Sequence, residues 1–311
     1  LALLGVLAQR WLRRRRDVTL EGTGGRPLHL PLGIWRPAAE ALAWLVIGLI
    51  LVLPLTALLA AALTPAAGVR LTLETFTLGN FREVLFSQDV TRRAFVNSTT
   101  LAGSAALVLA LLAIPLAYLI AWRPSRLTGA IDTMAELPYA LPGVVLAVAF
   151  IMLFLKPLPM LGVSLYGTPF IILGAYLSAF LTLALRPTLA GMAQLDPVID
   201  EAAQLDGAGL LDRLRHILLP LVGPMAAAGG ILVFMTAFNE LTVSALLWSS
   251  GTETLGVVVF NLNDSGYTAL AAAVACLAVL AILALMALAQ WLDRQSGLGI
   301  LPWSGAVERG S

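Results

Sequence analysis

Long apolar runs recur along this chain, and they constrain its fold more than any other feature. A helix needs about 20 apolar residues to cross a hydrocarbon core of roughly 30 Å. The stretches that reach this length are 41–63, 94–122, 131–155, 157–185 (from about 168 onward), 223–247 and 265–292. Only 12% of the residues are charged, against about 25% in soluble domains. The sequence therefore predicts an all-α membrane protein with six transmembrane helices.

Basic residues are unevenly distributed between the loops that alternate along the chain. Fourteen of them precede the first predicted span or follow the second, fourth and sixth, and five lie in the intervening loops. Short loops rich in Arg and Lys stay on the cytoplasmic side of a membrane. We therefore expect both termini, and the loop between the fourth and fifth spans, to face the cytoplasm.

That loop carries an unusually polar sequence, EAAQLDGAGLLDRLRHILLP, at 201–220. Asp196 and Pro197 are typical of a helix start, and Gly207 is typical of a left-handed helix end. A second helix is expected from beyond Gly209 until Pro220 closes it. Its apolar face would hold Leu210, Leu211, Leu214, Ile217 and Leu218, and its polar face Asp212, Arg213, Arg215 and His216. The pattern predicts a helix–turn–helix on the cytoplasmic membrane surface.

The acidic residues of this loop favour a protein as its partner. Three of them lie within 200–206, where they would repel an anionic lipid leaflet. Alanine and glycine beside them leave room for another chain to approach closely. Docking of a protein is therefore preferred over an interfacial helix that only rests on lipid headgroups.

The spacing of the loop resembles the EAA loop of binding-protein-dependent ABC importer permeases of type I. The matching positions are Glu201, Ala202, Ala203, Gly207, Ile217, Leu219 and Pro220. The resemblance implies that residues 191–222, called the coupling segment below, dock a cytoplasmic ATPase dimer. It also implies an extracytoplasmic solute-binding protein and a second six-span half, fused or separate, in a bacterial inner membrane.

A second stretch, 238–267, looks like the corresponding part of ferric-iron importer permeases, which often carry two six-span halves in one chain. Permeases for polyamines, 2-aminoethylphosphonate, thiamine and sulfate share the architecture and remain alternatives. Two further rivals are an ion-coupled secondary transporter, which usually shows an internal repeat and several intramembrane charges, and an intramembrane hydrolase. The expected function is therefore import of a solute, with ferric iron as the expected substrate.

The expected organisation follows from these patterns. LALLGVLA followed by QRWLRRRR resembles the end of a preceding transmembrane helix and its basic stop, at 1–16, although an interfacial N-terminus is an alternative. A cytoplasmic linker is expected at 17–40, the six-span permease domain at 41–292 and a cytoplasmic tail at 293–311. The first segment suggests that the chain is the C-terminal part of a longer permease.

Several chemistries are disfavoured by composition. The one lysine, Lys156, stands between Leu155 and Pro157, so no Gly-Lys-[Ser/Thr] phosphate loop exists and ATP hydrolysis is expected on a separate chain. Two histidines and one cysteine provide no zinc-binding pattern, so we expect a transport subunit that is not an enzyme and needs neither cofactor nor metal. A net charge of +1 gives no reason to expect nucleic acid, whereas the lipid bilayer is an expected partner.

Ionisable residues inside predicted spans are candidates for function. Asn239, Glu240 and Thr242 are expected to line the substrate path; alternatively, the helix ends at Asn239 and Glu240 lies at the outer interface. Asp132 and Glu136 are interpreted as acids at a helix N-terminus, with a carboxylate pair as the alternative. The stretch 249–267 is expected to be an exposed, irregular outer loop that contacts the binding protein, with a turn at 264–266.

Overall fold

The computed structural model describes residues 35–157, 162 and 164–296. Every regular element in this part of the chain is a helix. The predicted helix stub at 1–16, residues 17–34 of the predicted linker and the tail beyond 296 lie outside the described residues. The last part of the predicted linker is already helical, because the first described helix begins at Arg36. Five helices are long and apolar enough to cross a membrane, or six if one sharply bent pair is counted as a span. The prediction of an all-α, multi-span membrane protein is confirmed.

The chain divides into two compact units, Leu1–Ala57 and Leu58–Ser311. The described part of the first unit begins the predicted first span. It contains α1 (Arg36–Ile47), a π-helical turn (Gly48–Val52) and the start of α2 (Leu53–Ala62). Large apolar side chains of this unit, among them Leu45, Ile50 and Leu53, are exposed.

The second unit contains the remaining helices. They are α3 (Gly79–Arg82), α4 (Asp89–Trp122), α5 (Arg126–Ala140), α6 (Gly143–Phe154), α7 (Pro169–Met192), α8 (Val198–Leu205), α9 (Leu210–Arg213), α10 (Leu219–Phe238), α11 (Ser244–Leu247), α12 (Leu255–Asp264) and α13 (Thr268–Ser296). Two π-helical turns, Glu83–Ser87 and Leu214–Leu218, join neighbouring helices.

Three long helices, α4, α7 and α10, pack together at the centre of the second unit. Adjacent glycines of α10 allow the close approach. A Cβ at Gly229 would lie 2.8 Å from the Cα of Ala184 in α7, and one at Gly230 would lie 3.3 Å from the carbonyl oxygen of Ala106 in α4. Lipid tails are as apolar as leucine, so helices in a membrane associate through such close contacts between small residues.

The predicted third span is broken. Helices α5 and α6 meet at an angle of 110°. Between them Leu141 is extended, with φ −84° and ψ 142°. The residue before a proline is disfavoured in the α conformation because the proline ring clashes with it, and Pro142 follows Leu141 directly. Pro138, by contrast, is accommodated inside α5.

The predicted fifth span is displaced towards the N-terminus. It was expected at 223–247, but the continuous helix runs over Leu210–Phe238. The prediction that Pro220 closes the preceding helix is therefore wrong. The π-helical turn Leu214–Leu218 ends two residues before this proline, and its wider hydrogen-bonded ring relieves the clash that a proline makes with the carbonyl of the previous turn.

The prediction that the stretch 249–267 is irregular is wrong. It contains α12 (Leu255–Asp264), which packs against α13 and α4. The backbone N–H of Leu255 donates to Ser98 Oγ in α4 at 2.9 Å. Asn263, Asp264 and Gly266, which suggested a loop, lie at the end of this helix, where Gly266 has φ +86°. The predicted turn at 264–266 is confirmed.

Candidate functional site

The coupling segment begins with a capped helix. Asp196 Oδ1 accepts a hydrogen bond of 3.0 Å from the backbone N–H of Val198, the first residue of α8. This bond satisfies one of the amide groups that a helix start leaves without a partner. The predicted helix start at Asp196 and Pro197 is confirmed.

A left-handed glycine ends the same helix. Gly207 has φ +82°, and its N–H donates to the carbonyl of Gln204 at 3.0 Å. The N–H of Ala208 donates to the carbonyl of Ala203 at 2.9 Å. This pair of bonds is the Schellman arrangement, which requires positive φ at the residue after the C-cap. The predicted role of Gly207 is confirmed, and the bonds fix how the chain turns from α8 into α9.

The EAA residues lie mostly on the surface. Glu201 and Ala202 are exposed, and Ala203 is half-buried. Large apolar side chains are exposed around them, namely Val198, Ile199, Leu205, Leu210 and Leu211, of which Leu205 is 89% exposed. Several exposed apolar side chains close together in sequence, with an acidic residue among them, favour a protein interface.

The second part of the segment differs from its predicted amphipathic pattern. Arg213, expected on the polar face, is only 8% exposed. Leu211, expected on the apolar face, is 80% exposed, so its side chain is free to contact lipid or another protein. Because α9 continues through a π-helical turn into α10, its orientation follows that of the span rather than that of the membrane surface. The predicted separate surface helix is therefore wrong in this half.

The remaining EAA positions lie where this helix becomes the span. Ile217 is half-buried, whereas Leu219 and Pro220 are exposed. Between them Leu218 is 1% exposed and belongs to an apolar cluster with Tyr118 of α4 and Met192 of α7. The coupling segment is thus joined to the helix bundle around Leu218 and is exposed around Glu201 and Ala202.

A buried ionic network links the coupling segment to α4. Asp200 Oδ1 accepts from Arg213 Nη1 at 2.6 Å, and Asp200 Oδ2 accepts from the Tyr118 hydroxyl at 3.1 Å. Arg213 Nη1 also donates to the Tyr118 oxygen at 3.2 Å. Arg123 Nη2 lies 3.4 Å from Asp200 Oδ2, and Gln204 Nε2 donates to that oxygen at 2.8 Å. None of these roles was predicted from the sequence.

The second candidate site surrounds Glu240, in the irregular stretch between α10 and α11. The Glu240 carboxylate accepts hydrogen bonds from the Thr242 hydroxyl at 2.6 Å and from the backbone N–H groups of Val243 and Ser244 at 2.7 and 3.0 Å. It therefore caps the short helix α11. A carboxylate at a helix start is favoured by the partial positive charge of the amide groups there.

The three candidate path residues lie at and beyond the end of α10. Asn239 is the C-cap of this helix, and Glu240 and Thr242 follow in the irregular stretch. Asn239 and Thr242 are exposed, while Glu240 is half-buried. The alternative that the fifth helix ends at Asn239 is confirmed.

Two glycines of neighbouring helices allow this turn to approach closely, because they have no Cβ. A Cβ at Gly143, the first residue of α6, would lie 2.2 Å from Thr242 Oγ1. A Cβ at Gly256 of α12 would lie 2.8 Å from the carbonyl oxygen of Glu240. The structure therefore brings the break before α6 against the break after α10, and two interrupted helices meet at one place.

The two acids of α5 have a different environment from the predicted one. Arg186 Nη2 of α7 lies 2.9 Å from Asp132 Oδ1 and also contacts Glu136 Oε1. Because α5 begins at Arg126, neither acid lies in its first turn. The interpretation by the helix dipole is wrong, and the shared arginine explains why these carboxylates are tolerated in an apolar helix.

Comparison with known proteins places this architecture in a family. The family described as "Binding-protein-dependent transport system inner membrane component" matches residues 113–296, a range that includes the whole coupling segment. The chain belongs to this family. Membership agrees with the EAA spacing and with the multi-span helical fold.

Individual relatives are ABC transporter permeases. The chain is 32% identical over 192 residues to the Fe(3+)-transport system permease protein FbpB 2 of Haemophilus influenzae, covering 61% of this chain and 36% of that one. It is 27% identical over 246 residues to the putative 2-aminoethylphosphonate transport system permease protein PhnV of Salmonella paratyphi A, covering 78% and 90%. The chain thus spans little more than a third of the length of the first relative.

A solved structure shares the fold. A crystal structure of a bacterial alginate ABC transporter, in complex with a periplasmic protein that holds an alginate pentasaccharide, matches with a TM-score of 0.65 at 22% identity. The match covers 84% of this chain and 94% of that one. At this identity the likeness concerns the fold of the permease.

Proposed function

We propose that this chain is the transmembrane subunit, or half, of an ATP-driven importer whose ATPase is a separate chain. The observation that carries the proposal is the exposed coupling segment at the end of a multi-span bundle. Glu201 and Ala202 lie among exposed apolar side chains, of which Leu205 and Leu211 are 89% and 80% exposed. Such a surface is suited to another protein, and we assign it to the ATPase dimer.

The proposed orientation places the coupling segment and both termini in the cytoplasm. The distribution of basic residues supports it. The opposite end of the second unit, which includes the 249–267 stretch and the start of α4, would then face the extracytoplasmic binding protein. A second six-span half would complete the path, and closure of the ATPase dimer would move the two coupling segments together and open the path outward.

We place the substrate path beside the two helix interruptions. Interrupted helices in transporters expose backbone groups where a polar substrate passes, and irregular backbone at membrane depth is tolerated where it lines a cavity. The exposed side chains of Asn239 and Thr242, together with the Glu240 carboxylate, supply oxygen groups at this place. Hard cations favour such groups.

Ferric iron is the proposed substrate. The relation to the Haemophilus iron permease and the similarity of the 238–267 stretch support it. The 2-aminoethylphosphonate permease, of which the chain covers 90%, supports the second candidate. Uptake into proteoliposomes that contain the permease, its ATPase and a binding protein loaded with either compound distinguishes the two.

Co-purification tests the main proposal. The ATPase encoded with this chain should co-purify with it, and Glu201→Lys should weaken the association because it reverses a charge within the exposed surface. Glu74→Lys is the matched control, since Glu74 is an exposed acid in the stretch between α2 and α3, far along the chain from the coupling segment. Substrate transport driven by an ion gradient without any ATPase would instead support a secondary transporter and refute the proposal.

A further inference from the structure

The network around Asp200 joins two regions that are distant in sequence. Asp200 and Arg213 belong to the coupling segment, whereas Tyr118 and Arg123 lie at the end of α4, 82 and 77 positions before Asp200. Asp200 is 4% exposed and Arg213 is 8% exposed. A charge pair so far removed from water needs good geometry and further hydrogen bonds. The contact between the two is 2.6 Å, and Asp200 also accepts from Tyr118 and Gln204, whereas Arg213 Nε has no hydrogen-bond partner among the described residues.

Neighbouring residues of the same short helix have different surroundings, because they point about 100° apart. Asp200 points inward to Tyr118, and its neighbour Glu201 is exposed on the surface assigned to the ATPase. A displacement applied at Glu201 therefore reaches Asp200 through one peptide unit of a rigid helix. From Asp200 it reaches α4 through the Tyr118 hydroxyl, which Arg213 also contacts.

We propose that Asp200, Arg213 and Tyr118 form a clamp that fixes the coupling segment to the end of α4, so that movement at the ATPase surface moves this helix. The three are positioning residues: they act through Glu201 and its neighbours. The inference rests on the proposed function, and it adds the transmembrane helix that receives the movement and the side chains that transmit it.

Other connections of the coupling segment do not replace this one. At its base the segment continues as a helix into α10, so that helix must move with it. Helix α4 is connected to it through side chains. Apolar contacts, such as that of Leu218 with Tyr118, can slide, whereas hydrogen bonds to a buried carboxylate hold both distance and direction. Helix α4 also packs directly against α10, where Gly230 lies close to Ala106. The clamp therefore adds a directional connection between the coupling segment and the end of α4.

The experiment separates coupling from folding. Asp200→Asn and Arg213→Met each leave the other buried group without its partner, and both should lower the melting temperature. The double variant Asp200→Asn/Arg213→Met removes both charges, and the removal of a whole buried pair is often neutral or even stabilising. We expect it to melt near the wild-type temperature and to bind the ATPase, yet to transport about tenfold less substrate per ATP hydrolysed.

A milder variant covers the case in which the double variant fails to fold. Tyr118→Phe removes only the hydroxyl and leaves the Asp200–Arg213 pair intact. We expect normal assembly with a transport-to-hydrolysis ratio reduced several-fold. The matched control is Tyr139→Phe, because Tyr139 of α5 is exposed and its hydroxyl can keep water as a partner.

A second control tests whether loss of an ion pair is enough by itself. Arg36→Met/Glu40→Gln makes the same kind of change at an exposed ion pair of α1, outside the coupling segment. Its ratio of transport to hydrolysis should stay near that of the wild type. An equal loss in this control would overturn the clamp, because the exposed charges would then matter as much as the buried pair.

The outcomes also distinguish the clamp from the proposed function. If wild-type protein does not assemble with the ATPase, the proposed function itself fails. If it assembles and transports, but Tyr118→Phe and the double variant at Asp200 and Arg213 both keep the wild-type ratio, only the clamp is refuted. A purely structural role predicts that transport follows the melting temperature in every variant, and that result would also refute the clamp.

Discussion

Gly207 provides the sharpest test of how the coupling segment is shaped. Its φ of +82° lies in the left-handed region, and no atom lies within 4 Å of the position where a Cβ would stand. The cost of Gly207→Ala is therefore conformational rather than steric. The left-handed conformation destabilises an L-residue by about 1–2 kcal/mol. Replacing glycine also lowers the conformational entropy of the unfolded chain, which offsets about 0.4–1 kcal/mol of this destabilisation.

The expected effect is a loss of ATPase affinity. A net strain of about 1 kcal/mol favours conformations in which the Schellman hydrogen bonds are broken and the surface around Glu201 is no longer formed. Because 1.4 kcal/mol corresponds to about tenfold in Kd, a strain of about 1 kcal/mol should weaken ATPase binding by up to about fivefold in Gly207→Ala. Gly207→Asn should lose less, since asparagine tolerates this conformation better than alanine.

Binding of purified ATPase to the permease in nanodiscs measures these differences. Gly209→Ala is the matched control, because it adds the same methyl group two residues away where φ is −66°. Its Cβ would lie 3.4 Å from Asp212 Oδ2, an ordinary contact, and its Kd should stay within about twofold of the wild type. Equal Kd values for the alanine variants at 207 and 209 would refute the argument that the left-handed turn shapes the docking surface.

Two further predictions concern the opposite end and the path. In a Cys276→Ser background, Asn263→Cys should react with an impermeant maleimide from outside the cell, whereas Thr252→Cys should react poorly because Thr252 is 6% exposed. Labelling of Asn263→Cys that requires permeabilised cells would contradict the orientation. Glu240→Gln should leave basal ATP hydrolysis unchanged and reduce uptake. It should also lower the free energy of unfolding by about 1–3 kcal/mol. The reason is that the NH₂ group of glutamine cannot accept the hydrogen bonds that the Glu240 carboxylate receives. Wild-type uptake across substrate concentrations would mean that the carboxylate only caps α11.

Local patterns in the sequence identified the features that depend on neighbouring residues. The helix start at Asp196 and the helix end at Gly207 were predicted because caps are made within a few positions of the chain. The 249–267 stretch shows the limit of this reasoning. Its polar residues suit a loop, but the buried N-terminal half of α12 is held by contacts with α4, such as that of Leu255 with Ser98.

The sequence by itself determined the fold class and the place of the coupling segment. A chain in a bilayer must satisfy its backbone groups internally, so long apolar runs become helices, and the EAA spacing marks the segment between them. Only the tertiary structure decided that Arg213 is buried, that Leu211 is exposed and that Asp200 contacts Tyr118 across 82 positions. The physical reason is that the burial of a charge depends on which partners the folded chain brings to it, and the spacing of residues along one helix carries no information about a partner on another.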